Sequence, residues 1–318
     1  MQTHAWSSAR VGLVSNSPLH LFGVEEGGNL QAVAPLIRIG HWLRELPAMF
    51  EPSDLAWRSH EALQTLADAL AGQPVPLYLD RLPEQSPTIE VLRHAYAHRG
   101  LVLTKPAMPT PFIDLEGCRE IDATFTARRR SDFRRAERKA AERGTIAYVI
   151  HSPTSDAEVR DLLSDAYAVE AQSWKAATGT ALTTDVRQGN FFNHFTRAAA
   201  RDGSLRIAFL RLDGRPIAMQ IASEWQQRFW LFKISHDQAF DHCSPGQLLL
   251  RHTLRYAAAC GLRSYEFMGI MDNWTRRWAT DSRRYLQVRA IPFTTVSAKM
   301  LTRRTARIVY DLVMRLVR

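Results

Sequence analysis

The sequence has few cysteines, and none of them stand in a pairing pattern. Cys118, Cys243 and Cys260 are the only three among 318 residues, and no two of them form a CxxC motif. A sparse, odd set excludes a disulfide framework. It is also typical of a reducing compartment. We therefore expect a cytoplasmic protein.

Long hydrophobic runs are missing as well. No apolar run approaches the roughly 20 residues that a membrane-spanning helix needs. The opening Met-Gln-Thr-His-Ala-Trp lacks the basic and then apolar layout of a secretory signal. These absences predict that any membrane contact is peripheral, at the inner face.

Acidic residues are outnumbered by basic ones. The chain carries 32 Asp and Glu against 41 Lys and Arg, for a net charge of +9. This excess favours anionic partners, namely a phosphate-bearing cofactor, RNA or an acidic membrane surface. With 46% hydrophobic and 23% charged residues, the composition is that of a folded protein. The length suggests two domains.

The first part of the chain predicts a lobe that begins with a hairpin. Apolar segments at 19–24 and 30–37 flank a Glu-Glu-Gly-Gly-Asn turn. Helical spacing of leucines and short β-rich runs then predict a helix, a strand, a helix and a strand at 59–71, 76–79, 88–98 and 101–104, and residues 113–115 close the lobe. Residues 120–144 read as one long basic helix that ends at Gly144.

A second lobe follows the basic helix. Its predicted order is strand, helix, helix, three strands, helix, strand, short helix and strand, at 145–151, 155–173, 188–200, 205–212, 216–223, 228–235, 245–260, 264–268, 273–279 and 285–291. Because both lobes contain a Gly-bearing hairpin and a similar order of elements, we interpret them as a duplicated unit. The predicted boundaries are 1–117, a linker helix at 118–144, 145–297 and a tail helix at 298–318.

The tail helix is amphipathic and rich in arginine. Such a helix is suited to an anionic membrane. It is equally suited to packing on the protein body or on a second copy.

The strongest local signal is the start of the helix at 245–260. Ser244 is suited to the N-cap, Pro245 to the first helical position and Gln247 to a capping box, and Gly246 leaves its amide uncovered. One interpretation is a well-capped structural helix. The other is a pyrophosphate site, because a helix start presents free N–H groups and a partial positive charge.

Several motifs resemble the FemAB/CelD-like branch of the GNAT N-acyltransferase superfamily. They are Ser-Trp-Lys at 173–175, Arg-Leu-Asp-Gly-Arg-Pro-Ile-Ala at 211–218, Lys-Ile-Ser-His-Asp at 233–237, Ser-Pro-Gly-Gln-Leu-Leu-Leu at 244–250, Tyr-Glu-Phe-Met-Gly at 265–269 and Arg-Arg-Trp-Ala-Thr-Asp at 276–281. The resemblance implies an α/β fold of tandem GNAT-like lobes, with mixed sheets flanked by helices and the second lobe catalytic. It also implies acyl transfer, most simply of an acetyl group, from acyl-CoA to an amine.

The resemblance assigns the donor phosphates to the 244–247 junction. We assign donor binding to Lys233, Ser235, Ser244, Gly246, Gln247 and Leu248, and no metal. The family's phosphate loop is richer in glycine than this one, which offers only Gly246. The donor therefore stays open between acyl-CoA and aminoacyl-tRNA, which the more distant Fem relatives use.

Amine acylation needs a base for the ammonium group and a proton donor for the leaving thiolate. Glu266 is the first candidate base, because alternation in a strand puts it opposite Tyr265 and Phe267. Asp281 is the second candidate base, and Tyr265 the candidate proton donor. The predicted acceptor contacts are Trp174, Lys175 and Trp278.

Three functions remain open at this point. The first is a CoA-dependent acyltransferase acting on a small-molecule or saccharide amine, in polysaccharide or cell-envelope biosynthesis. The second is a Fem-like transferase that uses aminoacyl-tRNA. The third is a non-enzymatic accessory protein of a polysaccharide export complex.

Overall fold

The computed structural model describes residues 4–14, 18–46, 51–179 and 181–298. Numbered along the chain, its strands are β1 Leu19–Glu26, β2 Asn29–Ile39, β3 Trp42–Glu45, β4 Ala56–Trp57, β5 Leu77–Pro83, β6 Gly100–Pro106, β7 Thr110–Asp114, β8 Ile146–His151, β9 Leu205–Leu212, β10 Arg215–Trp225, β11 Arg228–His236, β12 Ser264–Glu266, β13 Asp281–Arg283 and β14 Tyr285–Pro292. The helices are α1 His4–Val11, α2 His60–Ala71, α3 Pro87–Ala95, α4 Ala127–Ala141, α5 Asp156–Ala171, α6 Trp174–Ala177, α7 Val186–Arg201 and α8 Pro245–Ala259.

The described residues form two compact units, each built on a mixed sheet. The first contains residues 14, 18–46, 51–108 and 284–298, and the second contains residues 4–13, 109–179 and 181–283. Seven strands make up each sheet, in the orders β1-β2-β3-β5-β14-β6, with β4 beside β2, and β13-β7-β12-β11-β10-β9-β8. The predicted α/β class, with mixed sheets flanked by helices, is confirmed.

The first unit is held by the amphipathic helices α2 and α3. Leu63, Leu66 and Leu70 recur on one face of α2 and are buried with Leu79 and Leu82 of β5. The predicted hairpin of β1 and β2 is confirmed. Gly27 and Gly28 both have positive φ values, 58° and 77°, as the two central residues of a tight type I′ turn require.

Two strands lie in a different sheet from the one expected. The sequence placed β14 last in the second lobe, but it pairs with β5 and β6 in the first sheet. The segment around Ile113 was expected to close the first lobe, but β7 pairs with β12 and β13 in the second sheet. Apolar alternation reveals a strand, whereas its neighbours depend on the path of the whole chain.

The second unit encloses its sheet between helices. On one face α8 covers Ala208, Leu210 and Leu231. On the other face α5 reaches β9, where Asp165 pairs with Arg211 at 2.6 Å. Because β-strand side chains alternate between faces, α8 and α5 lie on opposite sides of this sheet. The predicted strand, helix and hairpin order from 145 to 260 is confirmed.

Three local predictions need correction. The helix expected over 120–144 is a 3₁₀ turn at Ile121–Thr124 followed by α4, which starts where the Thr126 hydroxyl accepts from the Arg129 amide at 3.2 Å. The short helix expected over 273–279 is a single 3₁₀ turn, Thr275–Arg277. Helix α1 was not predicted; its Trp6 stacks on Phe232, with ring centroids 4.8 Å or less from three phenylalanines.

The predicted tail helix lies outside the described residues from 299 onward, so its membrane or partner contact stays a prediction. Among the described helices, none is both long and apolar enough to cross a bilayer.

Asp122 ties the 3₁₀ turn to α8. Its carboxylate accepts from Arg251 at 2.5 Å and from Arg255 Nε at 3.0 Å. Although burial alone would raise the pKa of Asp122, the hydrogen bonds and charges of these two arginines lower it. A lowered folded-state pKa means that the ionised form stabilises the fold.

Asp122→Asn should therefore reduce the free energy of unfolding at pH 7 by about 1–3 kcal/mol, the range for hydrogen bonds to charged groups. The contribution is present above the unfolded pKa of about 3.9 and is lost as pH falls through the lowered folded value. Urea titrations from pH 7 to 3 should show the two proteins converging. Asp132→Asn, in an exposed pair with Arg135, is the control. Equal effects of the two variants would contradict the prediction.

Candidate functional site

The helix α8 begins without a side-chain cap. Ser244 occupies the N-cap position, but its φ of 50° is left-handed, and no described side chain caps the helix start. The predicted capping box is wrong, because Gln247 Oε1 instead accepts from Trp278 Nε1 at 2.9 Å. The partial positive charge of the helix start is therefore left for an external anion.

Gly246 lies where a side chain would not fit easily. A Cβ atom there would stand 3.2 Å from His236 Nδ1. His236 is held in turn by Asp241, with 2.7 Å between Nε2 and Oδ1. Glycine at 246 thus lets the buried first turn of α8 pack closely against a fixed His236 ring.

A pocket of about 600 Å³ opens at this helix start. One wall is α4, the helix that carries the basic run, and the pocket lining contains four Arg and Lys side chains against one Asp. The lining residues are Arg129, Asp132, Phe133, Arg135, Ala136, Lys139, His242, Ser244, Gln247 and Arg277. We call it the cationic pocket. It joins a helix N-terminus to clustered basic side chains, the two devices that bind phosphate groups.

Trp278 helps to build the wall of the cationic pocket. The Arg129 guanidinium lies 3.9 Å from its ring centroid, and Arg129 NH1 donates to the Arg277 carbonyl at 2.8 Å. Its ring also packs against Phe125 and Phe133. Because the indole is buried, its geometry favours a structural role over the predicted acceptor contact.

The sheet opens beside this pocket. β11 and β12 pair in parallel only from Arg228–Ser264 to Trp230–Glu266. From residue 231 to 236, β11 has β10 as its sole strand neighbour within the described chain. We call residues 231–236 the open edge of β11. It leads directly into the turn that ends at Ser244.

A buried lysine cluster lies at the open edge, on the α5 face of the sheet. Glu170 Oε1 is 3.3 Å from Lys175 Nζ and 3.6 Å from Lys233 Nζ. Lys175 Nζ also donates to the Ile234 carbonyl at 2.6 Å. Burial lowers the pKa of both Lys175 and Lys233. We call Glu170, Lys175 and Lys233 the lysine cluster.

The three predicted acid–base residues lie elsewhere. Glu266 is buried and accepts from Arg283 Nε at 2.9 Å to both oxygens, with Arg228 at 3.7 Å. Tyr265 is fully buried, bonds Thr253 at 3.0 Å and has its pKa raised by burial. Asp281 is exposed at the edge strand β13. Their catalytic roles stay predictions, and the contacts of Glu266 and Tyr265 favour structural roles.

The other predicted residues divide between surface and core. Trp174 is 54% exposed, next to Lys175, so its ring is accessible to an acceptor. Leu248 lies on α8, and its side chain is buried in the core of the second unit. Ser235 is buried on the open edge, and its hydroxyl has no partner among the described residues.

Sequence reasoning missed two parts of this site. It assigned no role to the basic run of α4, although Arg129, Arg135 and Lys139 line the pocket. It did not single out Glu170, because one acid in an amphipathic helix gives no local signal. The density of arginine and lysine in this one helix could have revealed the role of α4.

Comparison with known proteins agrees with the location of the site. Residues 127–276 match the family model for an acetyltransferase (GNAT) domain. The matched segment runs from α4 through α8 and β12, and so contains the cationic pocket and the lysine cluster. The match to the GNAT family model therefore lies within the second unit. No curated protein matches the sequence of the chain.

Solved structures show a shared fold across both units. The C-terminal domain (DUF2156) of a putative lysylphosphatidylglycerol synthetase from Agrobacterium fabrum has a TM-score of 0.56 at 13% identity, over 96% of this chain and 92% of that one. L-PGS from Bacillus licheniformis has a TM-score of 0.55 at 11% identity, over 88% and 85%. FemX has a TM-score of 0.56 at 12% identity, over 90% and 91%. The predicted tandem GNAT-like fold is confirmed, whereas the CelD-like branch stays a prediction.

Proposed function

We propose that the second unit transfers an acyl group from CoA to a primary amine, with the donor phosphates in the cationic pocket. The observation that carries this proposal is that an unpaired strand edge and a basic helix start follow one another along the chain. The open edge of β11 runs into an uncapped helix start, and basic side chains of α4 surround that start. Acyl-CoA has the matching chemistry, with phosphates at one end and an amide-bearing arm that leads to the thioester.

Each feature supports one part of the donor. The partial positive charge at the start of α8 and the side chains of Arg135, Lys139 and Arg277 are suited to the phosphates. The amides of Ser244 and Gln247 already donate within the turn, to the carbonyls of Asp241 and Ser244. The open edge presents main-chain groups to the amides of the arm, as an unpaired strand edge does for an added strand. At about 3.3 Å per residue, its six residues span roughly 20 Å. This length separates the phosphates from the reacting thioester.

The acceptor then approaches from the α5 face. Trp174 and Lys175 lie on this face, and Lys175 Nζ reaches the Ile234 carbonyl within the open edge. The resemblance noted in the sequence favours a saccharide or envelope-linked amine as the acceptor. In the reaction, the amine nitrogen attacks the thioester carbon, the C–S bond breaks, and one proton leaves the ammonium while the thiolate gains one.

A second candidate function is transfer from aminoacyl-tRNA. The exposed residues Arg128, Arg134 and Arg138 extend the positive surface of α4 beyond the pocket. RNA phosphates are attracted to such a surface. The solved relatives that share the fold include FemX and lysylphosphatidylglycerol synthetases. A non-enzymatic accessory role would need neither donor.

Calorimetry with purified full-length protein distinguishes the donors. We expect CoA and acetyl-CoA to bind with micromolar Kd in moderate salt, and adenosine without phosphates to bind far more weakly. Deacylated tRNA, titrated in the same buffer, is the competing arm. Binding of tRNA without CoA would contradict the proposal and favour the second function. Binding of neither would favour the accessory role.

A further inference from the structure

The lysine cluster holds two ammonium groups against one carboxylate. Glu170 is 0% exposed, and its Oε1 lies 3.3 Å from Lys175 Nζ and 3.6 Å from Lys233 Nζ. The hydrogen bond from Lys175 Nζ to the Ile234 carbonyl, at 2.6 Å, also stabilises an ammonium group. With both lysines charged, the cluster carries one positive charge more than its carboxylate balances. Burying such a charge is costly unless an anion pairs with it.

No other anion of the described chain pairs with the cluster. Within the described residues, Glu170 is the only carboxylate that forms an ion pair with either lysine. The other oxygen of Glu170 already accepts from the Leu182 amide at 2.7 Å. Asp185 acts on Lys233 only from beyond ion-pair distance, and its two oxygens accept from Gln188 at 3.0 and 2.7 Å. The balancing charge is therefore left for a ligand.

Hydrogen-bond donors without an acceptor lie in the same place. Two of the three Nζ hydrogens of Lys175 have acceptors in the described chain, whereas Lys233 has one ion-pair partner there. Ser235 is two positions after Lys233 on β11, so its side chain is on the same face, and its buried hydroxyl has no partner among the described residues. One turn before Glu170 on α5, the buried Tyr167 hydroxyl is likewise unpartnered within that part of the chain. Because buried donors usually have a partner, these groups favour a ligand that brings its own acceptor oxygens.

The charge of the cluster limits the chemistry of this ligand. One excess positive charge matches one carboxylate, whereas a phosphate monoester carries about −1.5 to −2 at pH 7. In the proposed function the donor phosphates occupy the cationic pocket, so the carboxylate belongs to the acceptor. The side chains of Lys175 and Lys233 are 16% and 11% exposed, and the neighbouring Trp174 is 54% exposed. The cluster is therefore accessible from the face on which the acceptor approaches.

The position of the cluster limits the shape of the acceptor. Lys175 bonds at Ile234, three residues from residue 231, which is the end of the open edge away from the donor phosphates. At about 3.3 Å per residue, this separation is roughly 10 Å along the strand. An acceptor held by its carboxylate at the cluster therefore needs several bonds between the carboxylate and the amine that reaches the thioester. An ω-amino acid has this arrangement, and an α-amino group does not.

We propose that the lysine cluster binds a carboxylate of the acceptor, so that the substrate is an amine with a carboxylate several bonds from its nitrogen. Lys175 and Lys233 contact this carboxylate, and Ser235 donates to it from β11. Glu170 is a positioning residue that holds the two ammonium groups together. The inference rests on the proposed function, because it takes from that function the places of the thioester and of the donor phosphates.

The test compares 6-aminohexanoate with 6-aminohexanamide, which has the same chain and the same amine but no negative charge. Each compound is titrated by calorimetry into the wild-type, full-length protein in chloride salt, with and without saturating desulfo-CoA. We expect the carboxylate to bind at least about tenfold more tightly than the amide, the factor that one charge-assisted hydrogen bond contributes. Equal affinities for the two compounds, or no binding of 6-aminohexanoate, overturn the inference.

Lys233→Met assigns the effect to the cluster, with Lys105→Met as the matched control. Lys105 is exposed on β6, in the first unit. We expect Lys233→Met to weaken binding of 6-aminohexanoate about tenfold and to leave binding of the amide unchanged, because it removes one charge-assisted contact. The control should change neither affinity. An undiminished preference for the carboxylate in Lys233→Met overturns the inference.

Stability without ligand gives a second measurement on the same variant. Lys233→Met leaves one ammonium group opposite one carboxylate, so in urea it should be at least as stable as the wild-type protein. A clear loss of stability would show that the protein itself satisfies both ammonium groups, and would overturn the inference.

Calorimetry with desulfo-CoA alone separates this inference from the proposed function. Binding of desulfo-CoA, together with equal affinities for the carboxylate and the amide, overturns only the inference. No binding of desulfo-CoA overturns the proposed function. A preference for the carboxylate that persists in that case supports the carboxylate site and overturns its assignment to an acyl acceptor.

Discussion

Reversing two charges of the cationic pocket should weaken CoA binding about a hundredfold. Arg135→Glu with Lys139→Glu replaces two pocket cations by anions that face the donor phosphates. Each charge-assisted hydrogen bond contributes about 1.5–3 kcal/mol, and 1.4 kcal/mol corresponds to a factor of ten in Kd. Calorimetry at one fixed salt concentration measures the change. Circular dichroism should show an unchanged fold, because both side chains are exposed.

The matched control lies on the same helix. Arg128→Glu with Arg138→Glu makes the same change in net charge, but these side chains do not line the pocket. We expect Kd to rise by no more than about threefold, because exposed charges farther from the ligand are screened by salt. Equal losses in both double variants would show that general electrostatic attraction, and no defined phosphate site, controls binding. That result would strengthen the RNA interpretation of α4.

The second large effect concerns Glu266, and it is expected in stability. Glu266→Gln removes the charge that compensates Arg283, and with it the charge assistance of the 2.6 Å hydrogen bond from Ser264. Breaking a buried ion pair costs about 3–5 kcal/mol when it strands the partner charge. Because the Arg283 side chain is 28% exposed, we expect the lower end, about 3 kcal/mol. Urea denaturation of both proteins at pH 7 measures the loss.

Asp281→Asn is the control for this experiment. It removes an exposed carboxylate of the same edge strand, β13, and should change stability by no more than about 0.5 kcal/mol. If Glu266→Gln kept the wild-type stability while losing acyl transfer, the original assignment of Glu266 as the base would be favoured. If the Glu266→Gln protein kept both its stability and its acyl transfer, Glu266 would have neither the structural role nor the catalytic one.

Strand alternation explains why Glu266 was a reasonable candidate from sequence. The pattern Tyr-Glu-Phe predicted that Glu266 faces away from Tyr265, and it gave no information about Arg283, which lies 17 residues further along the chain. In the structure, β13 brings this arginine over the carboxylate, so that a group expected in a cleft is paired. The same limit applies to Lys175, whose partner carbonyl is 59 residues away.

The sequence by itself determined the local elements of this protein. It specified the Gly27-Gly28 turn, the order of elements from 145 to 260 and the start of α8 at Pro245, because glycine at positive φ, hydrophobic periodicity and proline at the first helical position act over a few residues. Only the tertiary structure decided the sheets of β7 and β14, the wall that α4 gives to the pocket and the meeting of Glu170 with two lysines. Strand pairing and buried charge compensation join residues far apart in sequence, so their energies depend on the path of the whole chain.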